Sequence, residues 1–185
     1  MGLFGPPNVE KLKAKKDIKG LIKALSYQKD KSIRVAAAKA LGHIGDTRAL
    51  DPLIAALRDK DYVVRKAVAE VLGEMGDARA VKLLIVVFKD KIQGVRDAAI
   101  EALVKIGVPT VEPLIAALRD KDSDTRKYAA EVLGKIGEPA VEQLIIVLRD
   151  EDSTSAQEAV AQALGEIGDA RAVDPLIAAL RDDEP

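Results

Sequence analysis

Apolar residues recur along this chain at helical spacing, and they do so in paired stripes. Between residues 50 and 76 the first stripe carries Leu53, Ile54 and Leu57 at i, i+1 and i+4. A charged turn, Arg58-Asp59-Lys60-Asp61, follows it. The second stripe is longer, with Val64, Ala67, Val68, Val71, Leu72 and Met75 on one face of a helix predicted over about Tyr62 to Met75. Gly76 then supplies a residue that tolerates the left-handed conformation in which helices commonly end. Each unit therefore reads as two short helices joined by a polar turn.

The unit repeats. Leu50-Asp51-Pro52-Leu53-Ile54-Ala55-Ala56-Leu57 returns from Val111 to Leu118 and again from Val173 to Leu180, with looser copies from Ile18, Val81 and Val141. Successive starts lie 32, 31, 30, 30 and 32 residues apart. The acidic residue and Pro at the first turn suit a helix start, where an N–H needs no intrahelical partner. Gly45, Gly107, Gly137 and Gly168 stand where Gly76 does. A helix pair this short cannot bury its apolar face alone, but stacked neighbours bury it for one another. The expected fold is therefore all-α, a right-handed solenoid of about five to six two-helix repeats. It is organised as one domain over 1–185, with a terminal segment at 1–16, five helix pairs over 17–171 and a half repeat at 172–185. Asn8 is expected to cap a helix over Val9–Lys16 whose lysines face water. The last unit has its first helix, Val173 to about Arg181, and one apolar face without its expected partner.

These residues resemble the short HEAT-like repeats of the phycobilisome-lyase type, and the artificial repeat libraries built from them. The resemblance covers roughly residues 17–181. It implies a ladder in which an Asp in the inter-helix turn and an Arg six residues on link neighbouring units. The matching positions are Asp59 with Arg65, Asp90 with Arg96 and Asp120 with Arg126. Gln28 replaces the Asp ahead of Arg34. Asp150 is followed by Gln157 seven residues on, so the fourth-to-fifth junction is expected to curve irregularly. The ladder arginines read as structural and not as phosphate ligands.

Composition narrows the chemistry. Apolar residues make up 48% and charged residues 32%, with only 3% aromatic, which fits close-packed helices of small aliphatic side chains. The absence of cysteine excludes disulfides, thiolate metal sites and cysteine nucleophiles, and fits a cytoplasmic location. His43 is the single histidine and is expected on the surface near a helix end, with no partners for a metal site or catalytic triad. Relatives in the resemblance that hydroxylate a modified lysine hold two irons with several His-Glu pairs, which this sequence lacks. No Walker-type loop or dinucleotide fingerprint is present. The Gly-x-x-Gly strings at Gly42–Gly45, Gly73–Gly76, Gly134–Gly137 and Gly165–Gly168 read as packing and capping glycines, not nucleic-acid clamps. Met1–Pro7 has no signal-peptide character, Pro6 stands where a myristoylation motif wants Ser or Thr, and Leu83–Phe88 is too short to cross a bilayer. No cofactor, nucleic acid or membrane is expected.

What remains is a surface. Outside the apolar stripe, second-helix residues align as Val35, Lys66, Asp97, Lys127, Glu158; as Lys39, Glu70, Glu101, Glu131, Gln162; and as His43, Glu74, Lys105, Lys135, Glu166. Tyr62, Val63 and Tyr128 flank these rows as apolar anchors. The resemblance implies that second helices line the concave side. The leading expectation is a non-enzymatic module binding another protein through Tyr62, Val63, Lys66, Glu70, Glu74, Asp97, Glu101, Lys105, Lys127, Tyr128, Glu131 and Lys135. Two alternatives are a bilin-lyase-like enzyme subunit acting on a biliprotein and an engineered, self-assembling scaffold. The last draws on the unpartnered final helix and a charge gradient, since residues 1–31 carry net +5 and residues 138–185 net −9. End-to-end self-association through the C-terminal half repeat follows from the same two features.

Overall fold

In the computed structural model, which describes residues 5–150 and 154–182, twelve α-helices and no strands are present among the described residues. They are α1 (Val9–Ala14), α2 (Ile18–Leu25), α3 (Lys31–Ile44), α4 (Leu50–Ala56), α5 (Tyr62–Met75) and α6 (Val81–Val86), then α7 (Gln93–Ile106), α8 (Val111–Ala117), α9 (Ser123–Ile136), α10 (Val141–Asp150), α11 (Thr154–Ile167) and α12 (Val173–Asp182). Short first helices alternate with 14-residue second helices, as the paired stripes require. The chain is an α-solenoid. It divides into two compact units, Met1–Ala102 and Leu103–Pro185.

In the first unit α2 packs on α3, α4 on α5, and the second helices α3 and α5 on each other, while α1 lies against both α2 and α3. Leu21, Leu41, Leu50, Leu53, Leu72 and Leu84 are fully buried. Each removes its side chain from water at a gain of roughly 1.5–3 kcal/mol. The helix starts are set by side-chain caps: Asn8, Asp17, Asp30 and Asp61 accept from the amides of Lys11, Gly20, Ser32 and Val63 at 2.8–3.0 Å. Lys11, Lys15 and Lys16 of the first helical segment are exposed, whereas Lys13 is half-buried.

The second unit repeats this plan. The α8–α9 and α10–α11 pairs form, α9 packs on α11, and α12 lies against α10. Leu114, Leu133 and Leu144 occupy the same buried positions as their counterparts in the first unit. Thr110 and Thr125 are buried polar residues in slots that other copies fill with Ala, Val or Ile, and both are satisfied locally. Thr110 Oγ1 donates to the Gly107 carbonyl at 2.7 Å, and Thr125 Oγ1 donates to Asp122 Oδ2 at 2.7 Å. The side chain of Asp150 and the turn at 151–153, where irregular curvature is expected, lie outside the described residues, as do the acids at 183–184.

The ladder takes a form that sequence spacing alone does not reveal. The Arg side chain bonds the main chain of its own turn, and its carboxylate partner comes from the next repeat. Arg65 donates from Nη1 to the Asp59 carbonyl at 2.8 Å, and its Nε and Nη2 grip Asp90 at 2.6 and 2.9 Å. Arg34 likewise donates to the Tyr27 carbonyl at 3.0 Å and to both oxygens of Asp59 at 2.7 and 2.9 Å. Gln28 in place of an acid therefore costs Arg34 nothing, because its turn is read through a main-chain carbonyl. The Arg65 guanidinium beside Asp90 holds that carboxyl below its ordinary range.

Two kinds of linker explain the uneven repeat length. Gly45, Gly76 and Gly168 adopt φ near 68° with the left-handed conformation, and each is followed by Asp-x-Arg. Asp46, Asp77 and Asp169 cap a short 3-10 turn through the Arg48, Arg79 and Arg171 amides and clamp the same arginine's side chain. These clamps pull Asp46 and Asp169 down to about 2, chiefly through the arginine side-chain bonds. Gly107 and Gly137 instead combine φ of 73° and 81° with ψ of −135° and −140°, and a Pro two residues on opens the turn. The second kind uses one residue fewer, which produces the two 30-residue spacings. Both backbone states favour glycine.

Candidate protein-interaction surface

The first glycine of Gly-x-x-Gly marks where second helices meet closely. A Cβ on Gly42 would stand 2.5 Å from Val71 Cγ1, one on Gly73 would stand 2.6 Å from the Ala102 Cα, and one on Gly134 would collide with Glu166. Gly165 is the exception, with open space around it. These glycines belong to the frame, and a nucleic-acid reading gains nothing from them. With the ladder arginines and packing glycines absorbed by the frame, the outward second-helix residues are left as the candidate surface.

In the first unit that surface lies on α3, α5 and α7. Tyr62, the first residue of α5, is 50% exposed, and Val63 beside it is half-buried. The α5 start is anchored by Asp61, which caps it and pairs with Lys31 at 3.3 Å. Lys66 and Glu70 form an i,i+4 pair at 3.9 Å, and Glu74 is exposed one turn further. Asp97 and Glu101 are exposed on α7.

Glu70 and Glu74 are brought into one cleft of about 520 Å³ with Lys39 and His43 of α3 and with Glu10 and Lys13 of α1. His43 is exposed near the end of α3, where the sequence placed it, and it borders this cleft. The contribution of α1 is new. Glu10 and Lys13 precede the repeats, so no register aligned them with the rows, and the alternation of signs in the cleft became visible only once α1 was seen to pack on α3. Cationic and anionic side chains of a partner both find a counter-charge there. Among the described residues no three His, Cys, Asp or Glu side chains come together as a metal-holding group.

In the second unit Lys105, Lys127 and Lys135 are exposed, whereas Tyr128 and Glu131 are half-buried. Lys135 pairs with Glu131 at 3.0 Å, in the i,i+4 orientation that favours the helix. Lys127 opens onto a shallow depression of about 300 Å³ with Asp124, Arg126, Ser155, Glu158 and Gln162. Tyr128 is thus the less available of the two tyrosine anchors. Among the described residues no helix is long and apolar enough to cross a membrane.

A family profile described as HEAT repeats matches residues 18–104 and 111–185. The chain belongs to the HEAT repeat family. A second profile, the PBS lyase HEAT-like repeat, matches residues 95–120. No curated protein gives a significant match. Among solved structures, an engineered protein is similar at 22% identity, covering 89% of this chain and 85% of its own, with a TM-score of 0.52. The complex of CpcE and CpcF of phycocyanin lyase from Nostoc sp. PCC7120 is similar at 24% identity, covering 95% and 79%, with a TM-score of 0.51. Another engineered protein gives 21% identity, 88% and 86% coverage, and a TM-score of 0.50. At these identities the likeness is one of fold, and this HEAT-repeat chain shares the repeat-solenoid architecture of all three.

Proposed function

We propose that this HEAT-repeat chain is a non-enzymatic protein-binding module whose second helices contact the partner. The observation that carries the reading is the division of labour on α5. Its inward face and Gly73 build the frame, while half-exposed Tyr62 opens an outward row that continues through Lys66, Glu70 and Glu74. Tyr offers a large amphipathic contact of the type found at binding hot spots. The mixed charges along the same row supply orientation and selectivity more than raw affinity. Asp97 and Glu101 in the same unit, and Lys105, Lys127, Tyr128, Glu131 and Lys135 in the second, extend the proposed contact set.

Affinity capture from the cells that make the protein, run with the wild type beside Tyr62→Ala/Lys66→Glu/Glu70→Lys, tests the reading. The variant restores an i,i+4 pair at 66 and 70 in its favourable orientation, so helicity is retained while the charge pattern is inverted. A protein held by the wild type and lost by the variant supports the assignment; identical captures from both baits refute it.

A second reading rests on the PBS lyase HEAT-like match at residues 95–120: a subunit that assists bilin transfer to a biliprotein. The acceptor thiol would then belong to the biliprotein, because this chain has no cysteine. Incubation with bilin and apo-biliprotein, followed by absorbance, separates the two readings. Adduct formation that depends on this chain favours the lyase role.

A further inference from the structure

Along one edge of the first unit the turns between first and second helices stack on one another. The Arg34–Asp59 and Arg65–Asp90 bonds each join a second helix to the following turn, and Lys31 reaches Asp61 across the first of these junctions at 3.3 Å. The acids of these turns are engaged by the frame. Asp59 and Asp90 bond the ladder arginines, while Asp30 and Asp61 cap α3 and α5. By contrast Lys29, Lys60 and Lys91, which recur at one position of the three turns, are exposed, and their ammonium groups form no ion pair among the described residues.

The third turn departs from the other two. Ile92 precedes α7 where Asp30 and Asp61 precede α3 and α5, and its carbonyl accepts from the Val95 and Arg96 amides at 3.0 and 3.3 Å, as an N-cap residue's does. Isoleucine is among the poorest N-cap residues, because it has no side-chain oxygen for the free amides of the first turn. At 40% exposed it lies outside the buried core as well. Chains break such local rules without a gain in packing chiefly at functional sites. The Arg65–Asp90 bond sets the start of α5, with half-exposed Tyr62, beside this turn.

We propose that this turn edge docks an acidic segment of a partner protein, whose carboxylates meet Lys29, Lys60 and Lys91 and whose apolar side chain lies against Tyr62 and Ile92. Packed helices lie about 8–10 Å apart. Three residues of extended, polyproline-type chain span roughly 9 Å, so acids at every third position keep step with the lysines. Asp30 and Asp61 interrupt the cations, which disfavours the unbroken phosphate run of a nucleic acid, and Ile92 offers no face on which a base can stack. The surface is separate from the row Lys66, Glu70 and Glu74, with Tyr62 bordering both.

The test is fluorescence anisotropy of the protein with a labelled synthetic peptide that carries Glu at every third position and Leu at its centre. It is run at about 0.15 M and 1 M salt, where the Debye length falls from ~8 to ~3 Å. The same peptide with Gln in place of Glu, an oligothymidylate and phosphatidylserine vesicles are the other probes. The wild type should bind the Glu peptide, more weakly in high salt, and the other probes at least about ten-fold less tightly. Lys60→Glu/Lys91→Glu and Ile92→Asp should each weaken the Glu peptide by at least about ten-fold, because both set an acid against an acid. Ile92→Asp restores a capping side chain, so by circular dichroism it should melt no lower than the wild type, and its lost binding is then not a loss of fold. Lys66→Glu/Glu70→Lys, with Tyr62 in place, should bind the peptide as the wild type does, which keeps this proposal distinguishable from the second-helix reading. No saturable binding by the wild type, equal binding of the Glu and Gln peptides, or wild-type affinity in either turn variant overturns the proposal. Tighter binding of the oligothymidylate or the vesicles overturns it in favour of a nucleic acid or a membrane surface.

Discussion

Removing one carboxylate from the ladder tests how the frame is held. Arg34 is 1% exposed and Asp59 9%, and the pair is bidentate with a third bond from Arg34 to the Tyr27 carbonyl. Asp59→Ala strands a buried guanidinium whose remaining protein acceptor is one carbonyl, and it also frees the Asp61 amide that Asp59 accepts at 2.8 Å. Breaking a buried pair from one side costs about 3–5 kcal/mol. With a urea slope of roughly 1–3 kcal/mol/M, that becomes a midpoint shift of about 1–5 M. The control is Asp51→Ala, whose carboxylate is 85% exposed and 4.0 Å from Arg79; its effect should stay within about 0.5 kcal/mol. The double replacement Arg34→Met/Asp59→Leu should recover most of the loss, because an apolar pair removes the desolvated charge altogether. Urea titration followed by far-UV circular dichroism reads all four proteins. If Asp59→Ala melts with Asp51→Ala, the ladder is not a stabilising element and the reasoning fails.

Other consequences follow from particular contacts. Gly73→Ala should destabilise by about 1–3 kcal/mol, because the new methyl meets the Ala102 backbone. Gly165→Ala, at the same motif position but in open space, should stabilise by up to about 1 kcal/mol, so thermal melts should move in opposite directions. Thr110→Ala should cost less than about 1.5 kcal/mol, because other copies place Ala in that slot and the Gly107 carbonyl keeps the residue-110 amide; Leu114→Ala should cost about 2–5 kcal/mol in the same urea assay. The folded-state values of Asp46 and Asp169 are lowered to about 2, so their stabilisation is present above the unfolded carboxylate range near 4 and is lost as pH falls toward 2. Replacing Asp46, Asp77 and Asp169 with Asn should flatten the fall in urea midpoint between pH 4 and pH 2, the limits set by those two values; an unchanged slope counts against the clamps.

The repeat, the helix pairs and their glycine ends were legible because each is written locally: an apolar stripe, a turn, a residue that tolerates positive φ. Helix α5 falls on the expected span, and each expected helix-ending glycine has positive φ. The partner of each ladder arginine was not legible, because Asp59 lies 25 residues from Arg34 and only stacking brings them together. The second linker form was legible only in part, since the Pro after Gly107 and Gly137 and the shorter link are written in the sequence whereas the change of ψ from that of Gly76 is not. For the candidate surface, the rows on α5 and α9 could be read from register, whereas the share of α1 in the Glu70–Glu74 cleft could not. The greater exposure of Tyr62 over Tyr128 likewise depends on what packs beside each ring.

The central claim is that second-helix side chains bind a protein partner, and titration calorimetry with the purified captured partner tests it most directly. Wild type would be compared with Tyr62→Ala/Lys66→Glu/Glu70→Lys and with Val86→Glu, an exposed first-helix position outside the proposed surface. The account predicts at least about a 30-fold loss of affinity for the triple variant, the equivalent of one hot-spot residue at roughly 2 kcal/mol, and wild-type affinity for Val86→Glu. Full affinity in the triple variant together with loss in Val86→Glu would place the binding surface on the first helices and contradict the account.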